Sequence, residues 1–231
     1  MNVRFLSSVA AVALSLGLIG LAAPASAQAD TEVDVAFNVG VFSDYVYRGF
    51  SQTNEDPAIQ GGMDLTAGKF YAGVWASNVD FGDDTDAEVD FYAGYRTEVQ
   101  GFAVDGGVIA YSYVNAPSFT DYNYTEFKLA ASRAVGPATV GAAVFYSPSY
   151  LNEQTLYYEI NGGFSPMDKL TLSGAVGLQT YEDSDEYTTW NLGATYALTD
   201  NLGVDVRYYD TDVDEVQNAE DRVVASLKVM F

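Results

Sequence analysis

Residues 33–53 read VDVAFNVGVFSDYVYRGFSQT. Val33, Val35, Phe37, Val39 and Val41 share one parity, while Asp34, Ala36, Asn38 and Gly40 take the other. Successive side chains of a strand point to opposite faces, so the spacing assigns an apolar and a polar face directly. A tilted strand needs about 9–11 residues to cross a membrane, and the run is long enough to do so. Asp44 and Arg48 fall on the parity of Asp34 and Asn38, opposite the valines. The alternation therefore predicts one strand over 33–48 whose outer half points two charges into water inside a barrel, with Gly49 opening the first outer loop.

The same period of two recurs along the chain, over 58–66, 70–79, 89–97, 102–113, 124–134, 138–146, 155–165, 170–180, 188–197, 202–209 and 222–231. Between these runs the connections alternate in kind. AGK at 67, EVQG at 98, VGP at 135, PMDK at 166 and LTDN at 198 are short. GFSQTNEDP at 49, DFGDDTDAE at 80, VNAPSFTDYN at 114, SPSYLNEQ at 147, YEDSDEY at 181 and DTDVDEVQNAED at 210 are longer and mostly acidic. This is the plan of an all-β, transmembrane, antiparallel up-and-down β-barrel of about 12 strands, with short periplasmic turns and longer acidic extracellular loops.

Alternation alone does not say which face is inside, because a soluble lipocalin-type barrel is apolar within and polar without. Charge placement favours the membrane arrangement. The acids that fall in strands are Asp34, Asp44, Asp64, Asp90, Asp105, Glu126, Glu159 and Asp205. All but Asp105 oppose the apolar parity of their strand; both faces around Asp105 carry apolar residues, and its side stays open. Arg48, Arg96, Lys128, Arg207, Arg222 and Lys228 also take the polar parity, and Arg133 alone shares the apolar one, beside a turn where its stem can snorkel. A lipid-facing Arg or Lys at mid-depth costs about 2–4 kcal/mol, which accounts for the near-absence of such positions. The alternative of a soluble periplasmic sandwich or lipocalin-like binder predicts extraction without detergent.

Outside this pattern the chain opens with a base at Arg4, an apolar run from Val9 to Ala23 and the small-residue site Ala25-Ser26-Ala27. These are the parts of a secretory signal peptide over 1–27, cleaved after Sec-type export to leave a single barrel domain over 28–231. Cleavage leaves 9 bases against 32 acids, a balance that repels nucleic acid. The chain has no Cys and no His, so it has no disulfide, no thiolate metal site and no histidine for general acid–base catalysis. The expectation is a protein without enzymatic activity or cofactor.

Two further features bear on partners. In RVVASLKVMF (222–231), Phe231 follows Val229, Leu227, Ala225 and Val223 at every second position. This resembles the C-terminal signature by which bacterial outer-membrane barrels are recognised by the barrel-assembly machinery. Asp83, Asp84 and Asp86 are weak candidates for a metal site, since clustered oxygens suit hard cations, but they follow no EF-hand or RTX pattern. A solvated acidic surface, bridged through divalent cations to lipopolysaccharide, is the alternative. Trp75, Trp190, Tyr92, Tyr95, Tyr157, Tyr158, Tyr196 and Tyr208 are expected in interfacial girdles.

Ser43, Asp44, Tyr45, Arg48, Gly49, Ser51, Gln52 and Thr53, followed by Pro57, Ala58, Gln60 and Gly61, resemble the TorF-type porins, a proteobacterial family catalogued as a conserved hypothetical protein. FYAGVWASNVDF at 70–81 continues the resemblance, as does the length of the chain. It implies a porin-type barrel in the outer membrane of a Gram-negative bacterium and brings no substrate. Asp44, Arg48, Asp205, Arg207 and Arg222 are expected to form one charged lumen patch, with Asp64, Asp90 and Arg96 as further lumen candidates. Such charges either select among small hydrophilic solutes and ions, with a mild cation preference, or brace a filled lumen in a non-conducting structural barrel.

Overall fold

The computed structural model describes residues 33–231. Chain order gives β1 (Val33–Phe42), β2 (Val46–Tyr47), β3 (Phe50–Ser51), β4 (Ala58–Ala67), β5 (Phe70–Asn78), β6 (Ala87–Val99) and β7 (Phe102–Val114). There follow β8 (Tyr124–Val135), β9 (Ala138–Tyr150), β10 (Glu153–Met167), β11 (Leu170–Tyr181), β12 (Tyr187–Ala197), β13 (Leu202–Thr211) and β14 (Arg222–Met230), with a 3-10 turn at Gln217–Ala219 before the last strand. Among the described residues, β1 and β4–β14 close into one antiparallel barrel in which β1 pairs with both β4 and β14. Strands β2 and β3 pair only with each other. Closure leaves the barrel without an open sheet edge, which is the condition for strands surrounded by hydrocarbon.

The two faces are as the alternation predicts. Val33, Val35, Phe37, Val39 and Val41 of β1 are all exposed on the outside, as are Leu192, Val176 and Ile160, the last at 72 %. The inner face is polar and buried, with Gln60, Ser77, Asp90, Thr155, Ser173, Gln179 and Asp205 among its residues. A soluble barrel has the reverse arrangement, so the lipocalin-like alternative fails here. At the seam, Phe37 and Phe231 exchange backbone hydrogen bonds of 3.1 and 2.8 Å. Leu227 and Phe231 are exposed outside and Val229 is partly so. The predicted leader over 1–27 lies outside the described residues.

Tyrosines tie neighbouring strands together on the inner face. Tyr71 opposes Gly94 and Gly73 opposes Tyr92 across β5 and β6, and each ring lies flat over the glycine it faces, where a Cβ would collide with it. The phenols then reach lumen carboxylates: Tyr92 donates to Asp64 at 2.6 Å and Tyr71 donates to Asp105 at 2.7 Å.

Three expectations need correction. The first strand ends at Phe42, not Arg48, because Ser43 makes the last contacts to Ala225 of β14 and the chain then leaves the wall. SPSYLNEQ is no loop: β9 runs on to Tyr150 and β10 starts at Glu153. Only Leu151 and Asn152 turn between them, both in the left-handed region that a two-residue hairpin requires. Of the expected girdle, Tyr95, Tyr158, Tyr196 and Trp190 are exposed outside, whereas Trp75, Tyr92 and Tyr157 are buried on the inner face.

Candidate functional site

Residues 43–53 fold into the lumen as a hairpin. Its neck is closed by Asp44, whose Oδ1 accepts the hydroxyl of Ser51 at 2.7 Å and lies 2.9 Å from that of Thr53. Asp44 Oδ2 takes Nη1 of Arg222 at 3.1 Å, which fastens the neck to β14. In the hairpin itself Val46 pairs with Ser51 and Tyr47 with Phe50. Arg48 and Gly49 occupy the two turn positions, with φ of 46° and 90°. Two consecutive positive φ values mark the tight turn that matches strand twist, and glycine suits the second of them.

The tip reaches several walls at once. The Tyr45 hydroxyl donates to Glu88 Oε1 on β6 at 3.0 Å, and the Tyr124 hydroxyl on β8 donates to that of Tyr47 at 3.1 Å. The Tyr187 hydroxyl of β12 donates to the carbonyl of Arg48 at 3.2 Å, and Gly49 packs on Thr189 of β12 and Thr211 of β13. Arg48 sends Nη1 to Gln179 Oε1 on β11 and Nη2 to Glu126 Oε2 on β8, both at 2.8 Å. Its guanidinium lies 4.2 Å from the ring centroid of Tyr157, 4.8 Å from Tyr47 and 5.3 Å from Phe145. Glu126, fully buried, also accepts the Tyr111 hydroxyl at 3.0 Å. Contacts from β6 round to β13 mean that the hairpin lies across the bore at the level of the outer strand ends.

The expected single patch is therefore divided. Asp44 and Arg222 hold the neck of the hairpin, and Arg48 holds its tip against Glu126. Asp205 and Arg207 form a separate knot within the wall. Arg207 is 1 % exposed; it donates to Asn191 Oδ1 at 2.7 Å, to Ser173 Oγ at 2.9 Å and to Asp205 Oδ2 at 3.1 Å. The Thr195 hydroxyl donates to the same Asp205 oxygen at 2.6 Å. Asp105, left open by the sequence, faces the lumen between Lys128 at 2.9 Å and Arg96 at 3.3 Å. Arg96 also stacks 3.9 Å over the ring of Tyr71.

Five ion pairs thus engage Arg48, Arg96, Lys128, Arg207 and Arg222. Among the described residues the inner-face acids Asp64, Glu88, Asp90 and Glu159 and the inner-face base Lys228 have no such pair, so unpaired carboxyl groups outnumber unpaired bases on the inner face. Asp90 is buried beside Glu88 on β6, and its Oδ1 has no hydrogen-bond partner. Glu88, Glu126 and Gln179 are site residues that the sequence does not mark as candidates. The alternation places Glu88 in a loop and Glu126 on the polar face of a strand, and nothing distinguishes Glu126 or Gln179 from other polar positions before the reach of the hairpin is known.

The acidic loop over 80–86 is organised by its own hydrogen bonds. Asp83 accepts the Thr85 N–H at 2.8 Å and the Tyr122 hydroxyl at 2.9 Å, and Asp86 accepts the Asn115 side-chain amide. Hydrogen bonding from Thr85 and then Tyr122 holds the Asp83 carboxyl below its ordinary value. Asp83, Asp84 and Asp86 do not converge, and among the described residues no three acidic, His or Cys side chains gather as metal ligands.

Known structures share the fold. The KdgM porin superposes with a TM-score of 0.58 at 12% sequence identity, covering 85% of this chain and 98% of its own. The NanC porin gives 0.56 at 12% identity, with 85% and 98% covered. An outer membrane channel from Pseudomonas putida F1 gives 0.51 at 11% identity, with 85% and 94% covered. No curated protein sequence matches the chain. The model of a bacterial protein family of unknown function, Gcw_chp, matches residues 26–230, nearly the whole length, and the chain belongs to that family.

Proposed function

We propose that the protein is an outer-membrane channel of porin type, exported by a leader cleaved before Gln28, through which small hydrophilic solutes diffuse without a chemical step. The observation that carries this is the hairpin 43–53: a loop turned into the lumen of a barrel with an apolar exterior narrows the bore and decides what passes. The structural likeness to porins supports the fold on which it rests. The TorF-type resemblance begins in this same hairpin, continues into β4 and β5, and supports the same assignment. Its exposed C-terminal Phe231 and Leu227 suit the barrel-assembly machinery, and its outer surface suits lipid and lipopolysaccharide.

Unpaired Asp64, Glu88, Asp90 and Glu159 outnumber the unpaired Lys228 inside a low-dielectric wall and favour cations, and the ion-paired arginines oppose this only weakly. Reconstitution in a planar bilayer tests both parts. Discrete conductance steps with a cation preference are expected. Anion preference refutes the charge argument. The second reading, a non-conducting structural barrel, is favoured by the burial of Glu126 and Tyr111 at the level of the hairpin. Absence of conductance steps decides for it.

A further inference from the structure

The residues that grip Arg48 all belong to the wall apart from Tyr47, and they form a patch that exists without the hairpin. Phe145 on β9 pairs directly with Tyr157 on β10, and Tyr157 pairs directly with Gln179 on β11. The three side chains thus stand in one row across adjacent strands. Glu126 on β8 completes the patch one step nearer the mouth, since its neighbour Lys128 on the same face pairs with Phe145. Two aromatic faces, a carboxylate and a carboxamide oxygen are the parts of a receptor for a planar cation, in which the rings accept the flat charge and the oxygens take its N–H groups.

Arg48 fills this receptor imperfectly. Its Nε is buried and has no hydrogen-bond partner. The hairpin turn fixes the direction from which the guanidinium enters. Glu88 and Asp90 on β6 place two further carboxyl groups, with no cationic partner among the described residues, at the same end of the bore, a surrounding of acceptors that suits a donor-rich cation.

We propose that the wall patch Glu126–Phe145–Tyr157–Gln179 is a binding site for guanidinium-bearing solutes of net positive charge, and that Arg48 is a tethered occupant of it. A solute of this class competes with Arg48 for the patch and so releases the hairpin tip. The inference deepens the channel reading, because it names a solute class, but its test needs no conductance.

The test uses the folded barrel in detergent micelles, with methylguanidinium chloride at millimolar concentration as probe and methylammonium chloride at equal ionic strength as comparator. Arg48→Ala empties the site. Its thermal midpoint is expected to fall below wild type and to be partly restored by methylguanidinium, with saturation, and not by methylammonium. Arg48→Ala/Glu126→Gln, which lacks the carboxylate, is expected to show no such restoration. Arg48→Gln, which keeps length and polarity without charge, is carried in parallel in case the alanine variant fails to fold. No restoration in either single variant overturns the proposal, and so does equal restoration by methylammonium or in the double variant. A barrel that conducts ions but shows no restoration retains the channel function and loses the site; one that shows saturable restoration but no conductance does the opposite.

Discussion

Gly49→Ala is the sharpest probe of the lumen hairpin. At φ of 90° the backbone of residue 49 lies in the left-handed half of the map, where a side chain costs about 1–2 kcal/mol. A Cβ there would also meet the methyl of Thr211 and approach Thr189 Oγ1 to 2.6 Å, an overlap with two wall strands. Overpacking of this kind costs about 1–3 kcal/mol. Together the two effects disfavour the seated tip by roughly 2–5 kcal/mol. Because β2 and β3 pair only with each other, the barrel can keep every wall ladder while the tip lifts away. The cost then appears as opening of the hairpin and not as unfolding.

An opening equilibrium shifted by roughly 2–5 kcal/mol changes the open population by about 30- to 4000-fold while the closed form still predominates. Trypsin reads this directly, because Arg48 is buried when the hairpin is seated and the 48–49 bond is cut only in the open form. Cleavage that is slow relative to reclosing follows the open population. Gly136→Ala is the control: φ there is also positive, at 61°, but nothing lies within 4 Å of the added methyl. Faster cleavage after Arg48 is expected in Gly49→Ala and not in Gly136→Ala. Unchanged cleavage in a folded Gly49→Ala barrel, or an equal rise in both variants, would refute the seating of the tip against β12 and β13.

Other perturbations test the wall and the loops. Ile160→Arg places a charge outside at mid-strand and is expected to cost about 2–4 kcal/mol in urea unfolding from lipid vesicles, whereas Asn161→Arg, one residue on and facing the lumen, is tolerated. Arg207→Ala strands Asp205 in the wall and is expected to destabilise by roughly 3–5 kcal/mol in the same assay; Arg207→Met with Asp205→Leu recovers most of it. In the outer loop, an acid whose pKa is depressed on folding contributes its tie above the unfolded value and loses it as pH falls through the folded one. Exchange protection of the Thr85 amide by Asp83 is therefore expected to persist through the ordinary carboxylate range near about pH 4 and to fade only below it, and loss at higher pH contradicts the bond.

Most of the wall was legible because its period is strict. A strand with one face in lipid and one in water must alternate, and β4, β5 and β7 lie within one residue of where the alternation of apolar residues places them. The first strand misled for the same reason. Asp44 and Arg48 keep the polar parity of β1 and Tyr45 and Tyr47 keep the apolar one, so the two charges read as a continuation of the strand; the breaks at its true end are Phe42 and Val46 on the polar parity and Ser43 on the apolar one. A further local cue is Arg48-Gly49 between Tyr47 and Phe50, a tight-turn pair, but glycines also occur within these strands, as at 73 and 94. The partners of Arg48 were illegible in a stricter sense. Glu126 and Gln179 lie 78 and 131 residues away, and no spacing in one chain reports a contact made across a lumen.

The placement of charge explains why the hairpin is held by polar contacts when an apolar plug would pack as well. A buried ion pair contributes little net stability, since desolvation offsets most of its attraction, but breaking it by removing one partner is costly. Such a pair is therefore a means of specifying position. At the tip, Arg48 must meet Glu126 and Gln179 together, which admits one seated pose. Deeper in the wall the logic differs: Arg207, Ser173, Asn191 and Asp205 join β11, β12 and β13, whose backbones are already laddered to one another. Losing the Arg207 knot weakens strands that must stay together, whereas losing the Arg48 contacts separates a hairpin that has no ladder to the barrel beyond its neck. The molecule thus carries two charge networks of similar chemistry and different task, one that ties wall strands to one another and one that seats a hairpin against them.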